Sequence, residues 1–392
     1  MPALLLNLTR LTSIITIATR YSTEKIRMRS LAVRKYGKPS QYELLDLPIP
    51  AITNPDDVLI RVHAAAIMTG DTLIAGGLGR LFEKANFPLR IGLSGAGTIS
   101  AVGGAVTDLK PGDAVYGAYF KHGIFPPPRP GFASDYAVCP AAFLIPKPAH
   151  LSFEEAAAIG NGQVVTATQC VRRYFELTGQ PADSTLEGRT VFVTAALSNC
   201  GSIFVQVIKN VYGAERVVST VSTAKVPLVE RLLPGVVDQV VDYTTQDVLS
   251  EVGRGTVDLV LNTQKDMVGL FPLANPESGA VVSIASVPSG ATVRKIMGTV
   301  KAPLLWLIIS LVNVVHYWYT WKLKGTNVKQ DFVSGNMGER EALERAGEWI
   351  AAGKIRAVMT VVNIDDIEAV RQKCDLVATG KGGLGTLVVR FV

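Results

Sequence analysis

Two hydrophobic rhythms divide the chain. Between Ser30 and about residue 150, short alternating runs such as DDVLIRVHAAAI, GAGTISAVG and GDAVYGAYF are broken by glycine and proline. Alternation over so few residues, with frequent turns, predicts a mainly β unit. At LSFEEAAAIG the rhythm changes. Ser152 precedes Glu154, Glu155 and a run of alanines, a helix start with its capping side chain and first-turn acids. From residue 190 the runs RTVFVTA, ERVVSTV, QVVDY, VDLVLNT and GAVVSIAS alternate with the helical segments GSIFVQVIKNVYG and AKVPLVERLL. Strands that are apolar throughout are buried on both faces, which predicts a doubly wound parallel sheet. The final stretch, from EALERAGEWIAAGK onward, reads helix, strand, helix, strand, and its end is expected to pack back onto the first unit. The pattern contains no repeat and no low-complexity tract.

Composition narrows this picture. A chain of 392 residues, 48% hydrophobic and 18% charged, is globular and long enough for two cores. The net charge of +6 is spread without basic runs, so the clustered footprint of a nucleic-acid binder is missing. Cys139, Cys170, Cys200 and Cys374 form no C-x-x-C pair, and His63, His122, His150 and His316 are equally scattered. That spacing supplies neither a disulfide framework nor a metal cluster, and each histidine is expected on the surface or packed in the fold. The N-terminus MPALLLNLTRLTSIITIATRYSTEK has no acid before Glu24, carries Arg10 and Arg20, and is rich in Leu, Ile, Ser and Thr. Residues 1–22 therefore read as a mitochondrial targeting segment, cleaved near Arg20; a secretory signal or a plain tail fits less well.

The turn between Val193 and Ile203 is the first candidate for chemistry. Dinucleotide-binding turns place glycines between the first strand and its helix, so that backbone approaches the pyrophosphate at the helix N-terminus. Here the turn reads AALSNCG, and only Gly201 is glycine. Ser198 and Asn199 stand where phosphate-facing glycines are usual. Both side chains donate hydrogen bonds, Asn tolerates unusual backbone angles, and the helix end still offers N–H groups and its dipole. Binding is expected to survive, weaker by about 1–2 kcal/mol where backbone is held further away. At the end of the second strand, TVSTAK has no Asp or Glu to hold a ribose 2′-hydroxyl. Ser222 and Lys225 instead suit a 2′-phosphate, which needs a cation and donors. Asn262, Thr263 and Ser286 follow strands at the sheet's carboxyl edge, where ligands sit in open α/β folds, although each also suits a cap or turn.

The order of these segments, through DVLIRVHAAAIMTGD, GLSGAGTISAVGGAVTDLKPGDAVYG, GFASDYAVCP, LSFEEAAAIG, VVSTVSTAKVPLVERLLPGVVDQVVDY and GKIRAVMTVVNIDDIEAVRQ, resembles the medium-chain dehydrogenase/reductase superfamily. It looks closest to the zinc-free quinone oxidoreductase branch. The resemblance covers nearly all of residues 30–392. It implies an α/β protein with a GroES-like β-rich substrate domain at 30–155, completed by 355–392, and a Rossmann doubly wound parallel-sheet domain at 156–354. Zinc-dependent members keep a Cys in the first domain and Gly-His-Glu where this chain has Gly92-Leu93-Ser94, so no metal is expected and zinc-dependent alcohol oxidation is disfavoured. What remains is hydride transfer from NADPH to a quinone or α,β-unsaturated carbonyl, whose own conjugation spreads the charge. The resemblance also implies that Thr166 faces the nicotinamide and Tyr243 lies beside the 2′-phosphate. The family's Asn-Pro-x-Asp is here Met68-Thr69-Gly70-Asp71, so the substrate-contacting asparagine is gone and Asp71 serves substrate or merely caps a turn. A proton donor must come from elsewhere, with Tyr116 and Tyr119 as candidates.

One apolar stretch stands apart. APLLWLIISLVNVVHYWYTW, residues 302–321, has no formal charge and lies between Lys301 and Lys322. Its length would just cross a bilayer, yet Ser310, Asn313 and His316 interrupt it, and the resemblance continues on both sides. It either lies on a membrane surface, with Trp318, Tyr319 and Trp321 at the interface, or packs in the fold or a subunit contact, which keeps a homodimer open. Two readings of the chain follow. The first is a mitochondrial, NADPH-dependent, zinc-independent reductase of a small lipophilic quinone or enone. The second is a catalytically worn family member, acting as a membrane-associated binding or trafficking protein.

Overall fold

In a computed structural model, residues 27–81, 83–119, 131–297, 303–334 and 339–392 are described. The targeting segment read at residues 1–22 and His122 lie outside them.

The uniformly apolar runs form a six-stranded, all-parallel sheet. Its spatial order is Gln239–Asp242, Arg216–Val221, Thr190–Val193, Leu259–Asn262, Ala280–Ser283 and Lys329–Phe332. Numbered along the chain, that is 3-2-1-4-5-6, the doubly wound order whose ligand crevice opens where strands 1 and 4 lie side by side. The sequence predicts the first five strands. The sixth, KQDF, escapes prediction because it is a half-buried edge strand and lacks a continuous apolar run. The long helix Pro303–Lys322 is the crossover that delivers it.

The alternating runs build a second sheet. Strands Asp57–Ile67, Ser94–Val102, Ala114–Ala118, Tyr136–Pro140 and Leu144–Pro146 pair antiparallel. The C-terminal strands Met359–Asn363 and Thr386–Arg390 extend it, the latter pairing with Asp57–Ile67. The predicted return of the chain end is thus a shared sheet. A small three-stranded sheet, Glu43–Pro48, Arg27–Val33 and Leu89–Arg90, completes this GroES-like half.

Between the halves, the helix beginning after Ser152 has the N-cap its sequence announces. Ser152 Oγ accepts from the Glu155 amide at 3.1 Å, and Glu155 Oε2 accepts from the Ser152 amide at 2.8 Å. This helix, Phe153–Ile159, ends at Gly160, and a second, Asn161–Thr178, starts there. Gly160 has φ +47°, which turns the chain without the penalty a Cβ would carry. The largest core gathers Ile159, Val164 and Tyr174 from these helices with Val191, Val193, Ile203 and Phe204 of the parallel-sheet half. His63 stacks on Phe153 with ring centroids 4.0 Å apart, and His316 Nε2 lies 2.8 Å from the Val287 carbonyl. Both histidines are packed in the fold.

Candidate functional site

The crevice is built around one turn. Thr194, at the end of the first strand, and Thr263, at the end of the fourth, hold the switch point together. Their hydroxyls lie 3.0 Å apart, and the Thr263 amide donates to Thr194 Oγ1 at 2.7 Å. Ala195 follows with φ +59°, the one non-glycine residue among those described in the left-handed region. Its conformation is held from three sides. The Ala195 amide donates to Thr220 Oγ1 at 3.0 Å, the Ala196 amide donates to the Thr220 carbonyl at 3.0 Å, and the Ala195 carbonyl accepts from the Ser198 amide at 2.9 Å. The chain therefore keeps a glycine-type backbone with an alanine, a strain of about 1–2 kcal/mol.

Gly201 explains why the turn must be so tight. A Cβ there would fall on the Ala195 carbonyl and within 2.8 Å of Ser198 Oγ. Only glycine lets helix Asn199–Gln206 come this close to the strand end. Ser198 caps that helix, its Oγ accepting from the Gly201 amide at 3.0 Å. Its hydroxyl hydrogen stays free to donate toward the crevice. Leu197 is 1% exposed and belongs to the central core.

Asn199 has a more constrained setting than the sequence suggests. Its Oδ1 accepts from Gln163 Nε2 and lies 2.8 Å from Thr386 Oγ1, while Thr386 Oγ1 is also 2.9 Å from the Ala158 carbonyl. Gln163 Nε2 in turn lies 3.8 Å from Met68 Sδ. This small network brings together Met68 at the end of strand Asp57–Ile67, the interdomain helix, the turn and the C-terminal strand. Gln163 and Thr386 were missed by sequence reasoning, because their partners are remote along the chain. The nearest signal is the glycine clustering on either side, GNGQ and GGLGT.

A C-terminal strap crosses the same place. The Gly385 amide donates to the Leu197 carbonyl at 2.8 Å, and the Lys225 ammonium donates to the Gly383 carbonyl. Partial burial lowers the Lys225 pKa. Ser222, Lys225 and Tyr243 come together at the ends of the second and third strands. The Tyr243 amide donates to Val221 at 3.1 Å, the Lys225 amide donates to the Ser222 carbonyl at 2.8 Å, and the Tyr243 side chain is exposed. Asp242 beside them is already engaged: its carboxylate accepts from the Thr244 amide and from the hydroxyls of Thr244 and Thr245. The Thr223 hydroxyl first, then the Thr244 and Thr245 donors, bring its pKa down to about 2.

Other candidates also bond within the fold. Asn262 is 1% exposed; its Nδ2 donates to the Gln264 carbonyl at 2.8 Å and to Ser283 Oγ at 3.2 Å. Ser286 is held by its amide on Ser283 Oγ, and Thr166 Oγ1 donates to the Gly162 carbonyl at 2.7 Å. Thr69 is exposed and receives the Thr72 hydroxyl on its carbonyl. Asp71 is buried, with its carboxylate accepting from the Met68 and Gly92 amides at 2.8 and 2.9 Å. It caps turns, and burial pushes its pKa up to about 7. It is therefore corrected from substrate residue to structural cap. Tyr116 needs a correction too. It is 1% exposed in the central core with its hydroxyl facing Gly347, out of reach of a substrate arriving from solvent, and burial drives its pKa upward. Tyr119 stays half-buried against Phe143, ring centroids 4.9 Å apart.

Together these features define a two-domain protein in which a GroES-like β unit closes over the switch point of a Rossmann sheet. Residues 54–149 match the alcohol dehydrogenase GroES-like domain family, and residues 237–381 match the zinc-binding dehydrogenase family. This pair of domains, in this order, fits the medium-chain dehydrogenase/reductase superfamily. It is 29% identical over 265 residues to Reticulon-4-interacting protein 1, mitochondrial, of Caenorhabditis elegans, covering 63% of this chain and 68% of that one. It is 31% identical over 224 residues to NADPH-dependent alkenal/one oxidoreductase, chloroplastic, of Arabidopsis thaliana. That match covers 56% of this chain and about half, 54%, of the relative's length. The quinone oxidoreductase from Coxiella burnetii has the same fold, with TM-score 0.68 at 20% identity over 93% of this chain and 100% of that one.

Proposed function

We propose that the chain is an NADPH-dependent, zinc-independent oxidoreductase that reduces a quinone or an α,β-unsaturated carbonyl. The observation that carries this reading is the turn. Ala195 at φ +59° and Gly201 against its carbonyl reproduce the backbone path of a dinucleotide-binding turn, although the glycines are few. The donor set fits a phosphorylated dinucleotide. Ser198 and the first free amides of helix Asn199–Gln206, those of Asn199 and Cys200, would serve the diphosphate. Ser222, Lys225 and Tyr243 gather at the end of the second strand, where the one nearby carboxylate, Asp242, is withdrawn into its own threonine donors.

A bound nicotinamide would supply the hydride. This chain's own part is to bind, orient and exclude water. Lys225 gives the phosphate its cation, Thr194 and Thr263 hold the switch point, and Gln163 with Asn199 fixes the turn against the GroES-like half. Reduction of a conjugated carbonyl needs no Lewis acid, because the substrate itself delocalises the charge. This agrees with Leu93 and Ser94 standing where zinc-dependent relatives have ligands. The mitochondrial relative and the leader-like composition of residues 1–22 support a mitochondrial location.

Thermal unfolding with each nucleotide tests this. NADPH raises the unfolding temperature by mass action, NADH does so less, and Lys225→Ala selectively removes the NADPH increment. NADPH oxidation dependent on an added enone or quinone completes the test. No shift with either nucleotide at millimolar concentration favours the second reading, a worn binding protein. One observation favours that reading: the contacts from Thr386 to Asn199 and from Lys225 to Gly383 tie the strap to the groups a cofactor would use.

A further inference from the structure

We propose that the outer face of helix Pro303–Lys322 is a docking surface for an anionic phospholipid bilayer. The helix has two sides. Leu305, Ile309, Tyr319 and Leu323 are buried, the first two against Val293 and Met297 of helix Gly290–Met297, the last two in the core beneath the parallel sheet. Tyr319 thus faces inward, which corrects its expected place at an interface beside Trp318 and Trp321. On the opposite side Trp306 is 74% and Tyr317 75% exposed, and Leu307, Leu311, Val314, Trp318 and Trp321 are also open. Residues at 306/307, 310/311, 313/314, 317/318 and 320/321 recur every three to four positions, so they share one face.

Three polar side chains on this face bond to neighbouring backbone. Ser310 Oγ donates to the Trp306 carbonyl at 2.9 Å and Thr320 Oγ1 to the His316 carbonyl at 3.0 Å, while Asn313 Oδ1 accepts from the Gly290 amide at 3.2 Å. The face thus spends three of its side-chain oxygens on backbone rather than on solvent. Aromatic residues dominate it, as at the boundary between lipid headgroups and acyl chains.

Charge selects the occupant. No acidic residue occurs between Glu277 and Asp331, whereas Arg294, Lys295, Lys301, Lys322, Lys324 and Lys329 all fall there. Lys322 Nζ sits 5.2 Å from the Trp321 ring centroid and 6.0 Å from that of Trp318, bringing cation and aromatic edge to one level. Lys322 and Lys324 at the C-terminal end of an apolar aromatic strip, in a segment without acids, complement anionic headgroups over acyl chains. A second copy would bring the same cations against each other. The strip is also small, roughly 30 Å by 10 Å for a helix of this length, against about 800 Å² per partner in a standard interface. Among the described residues no helix is long and apolar enough to cross a membrane, so the contact is superficial. Membrane docking stands whether or not the enzyme reading does.

Full-length protein sedimented with phosphatidylcholine vesicles, with and without phosphatidylglycerol, tests the proposal. The protein binds the anionic vesicles, releases at high salt, and loses roughly tenfold or more of its affinity in Leu311→Glu/Val314→Glu, which withdraws two aliphatic anchors. Lys322→Glu/Lys324→Glu weakens binding at low salt only. Both variants change exposed positions, and unchanged thermal unfolding verifies their fold. The proposal is overturned by equal binding to both vesicle types, by a Leu311→Glu/Val314→Glu protein that binds like the parent, or by a parent dimer that this variant splits into monomers.

Discussion

Gly201→Ala probes the proposed site most sharply. The added Cβ would land on the Ala195 carbonyl and within 2.8 Å of Ser198 Oγ. The carbonyl is backbone, fixed by Thr220 and by its own bond from Ser198, so it does not swing aside as a flexible side chain would. Overpacking of this kind costs about 1–3 kcal/mol, and displacing the Ser198 cap adds about 1 kcal/mol. Alanine returns about 0.8–1 kcal/mol of helix propensity. The net expectation is a loss of about 2 kcal/mol, with the helix N-terminus pushed off the crevice. Urea unfolding followed by fluorescence reads the stability, and the NADPH-induced thermal shift reads the site. Gly104→Ala is the control: it is exposed, has no atom within 4 Å of its added Cβ and needs no left-handed backbone, so it stays within about 0.5 kcal/mol of the parent. A Gly201→Ala protein as stable as that control, with its NADPH response intact, would refute the close-approach argument.

Further outcomes follow from the same geometry. Ala195→Gly relieves the left-handed strain and, after the entropy of glycine in the unfolded chain, stabilises by about 0.5–1 kcal/mol in urea titration; a loss would show that Ala195 is unstrained. Phe204→Ala, at a side chain 1% exposed in the central core, lowers stability by about 3–5 kcal/mol by calorimetry or denaturant. Two carboxylates give opposite pH signatures. Asp71, raised to about 7 from 3.8, contributes stability that is full below pH 4 and lost as pH rises through 7. Asp242, lowered to about 2, contributes stability present above pH 4 and lost as pH falls through 2. Asp242→Asn should flatten the acid limb of a stability profile and leave the neutral limb in place; an unchanged acid limb would show that its threonine donors hold no charge.

Much of the fold is legible from hydrophobic rhythm, because burial on two faces leaves VFV, LVLN and AVVS with no polar interruption. KQDF escapes notice because an edge strand buries too little to lose its polarity. The cap at Ser152 is readable because both halves of it lie within one turn. Gln163, Asn199 and Thr386 are not readable as a group, since hydrogen bonds between positions 163, 199 and 386 leave no local pattern. Tyr116 and Tyr319 were misplaced for a related reason: amphipathic period gives which residues share a face, but the fold decides which face turns inward.

The strand Thr386–Arg390 sits between Met359–Asn363 and Asp57–Ile67, inside the β sheet of the N-terminal half. A growing polypeptide therefore leaves Ala64–Ile67 without this neighbour until Thr386–Arg390 has been made. Contacts spanning more than three hundred positions close slowly, and an open strand flank invites wrong pairing. This sheet is thus finished only after the parallel sheet's strands have been made, and deleting Thr386–Arg390 would leave Ala64–Ile67 without its neighbour.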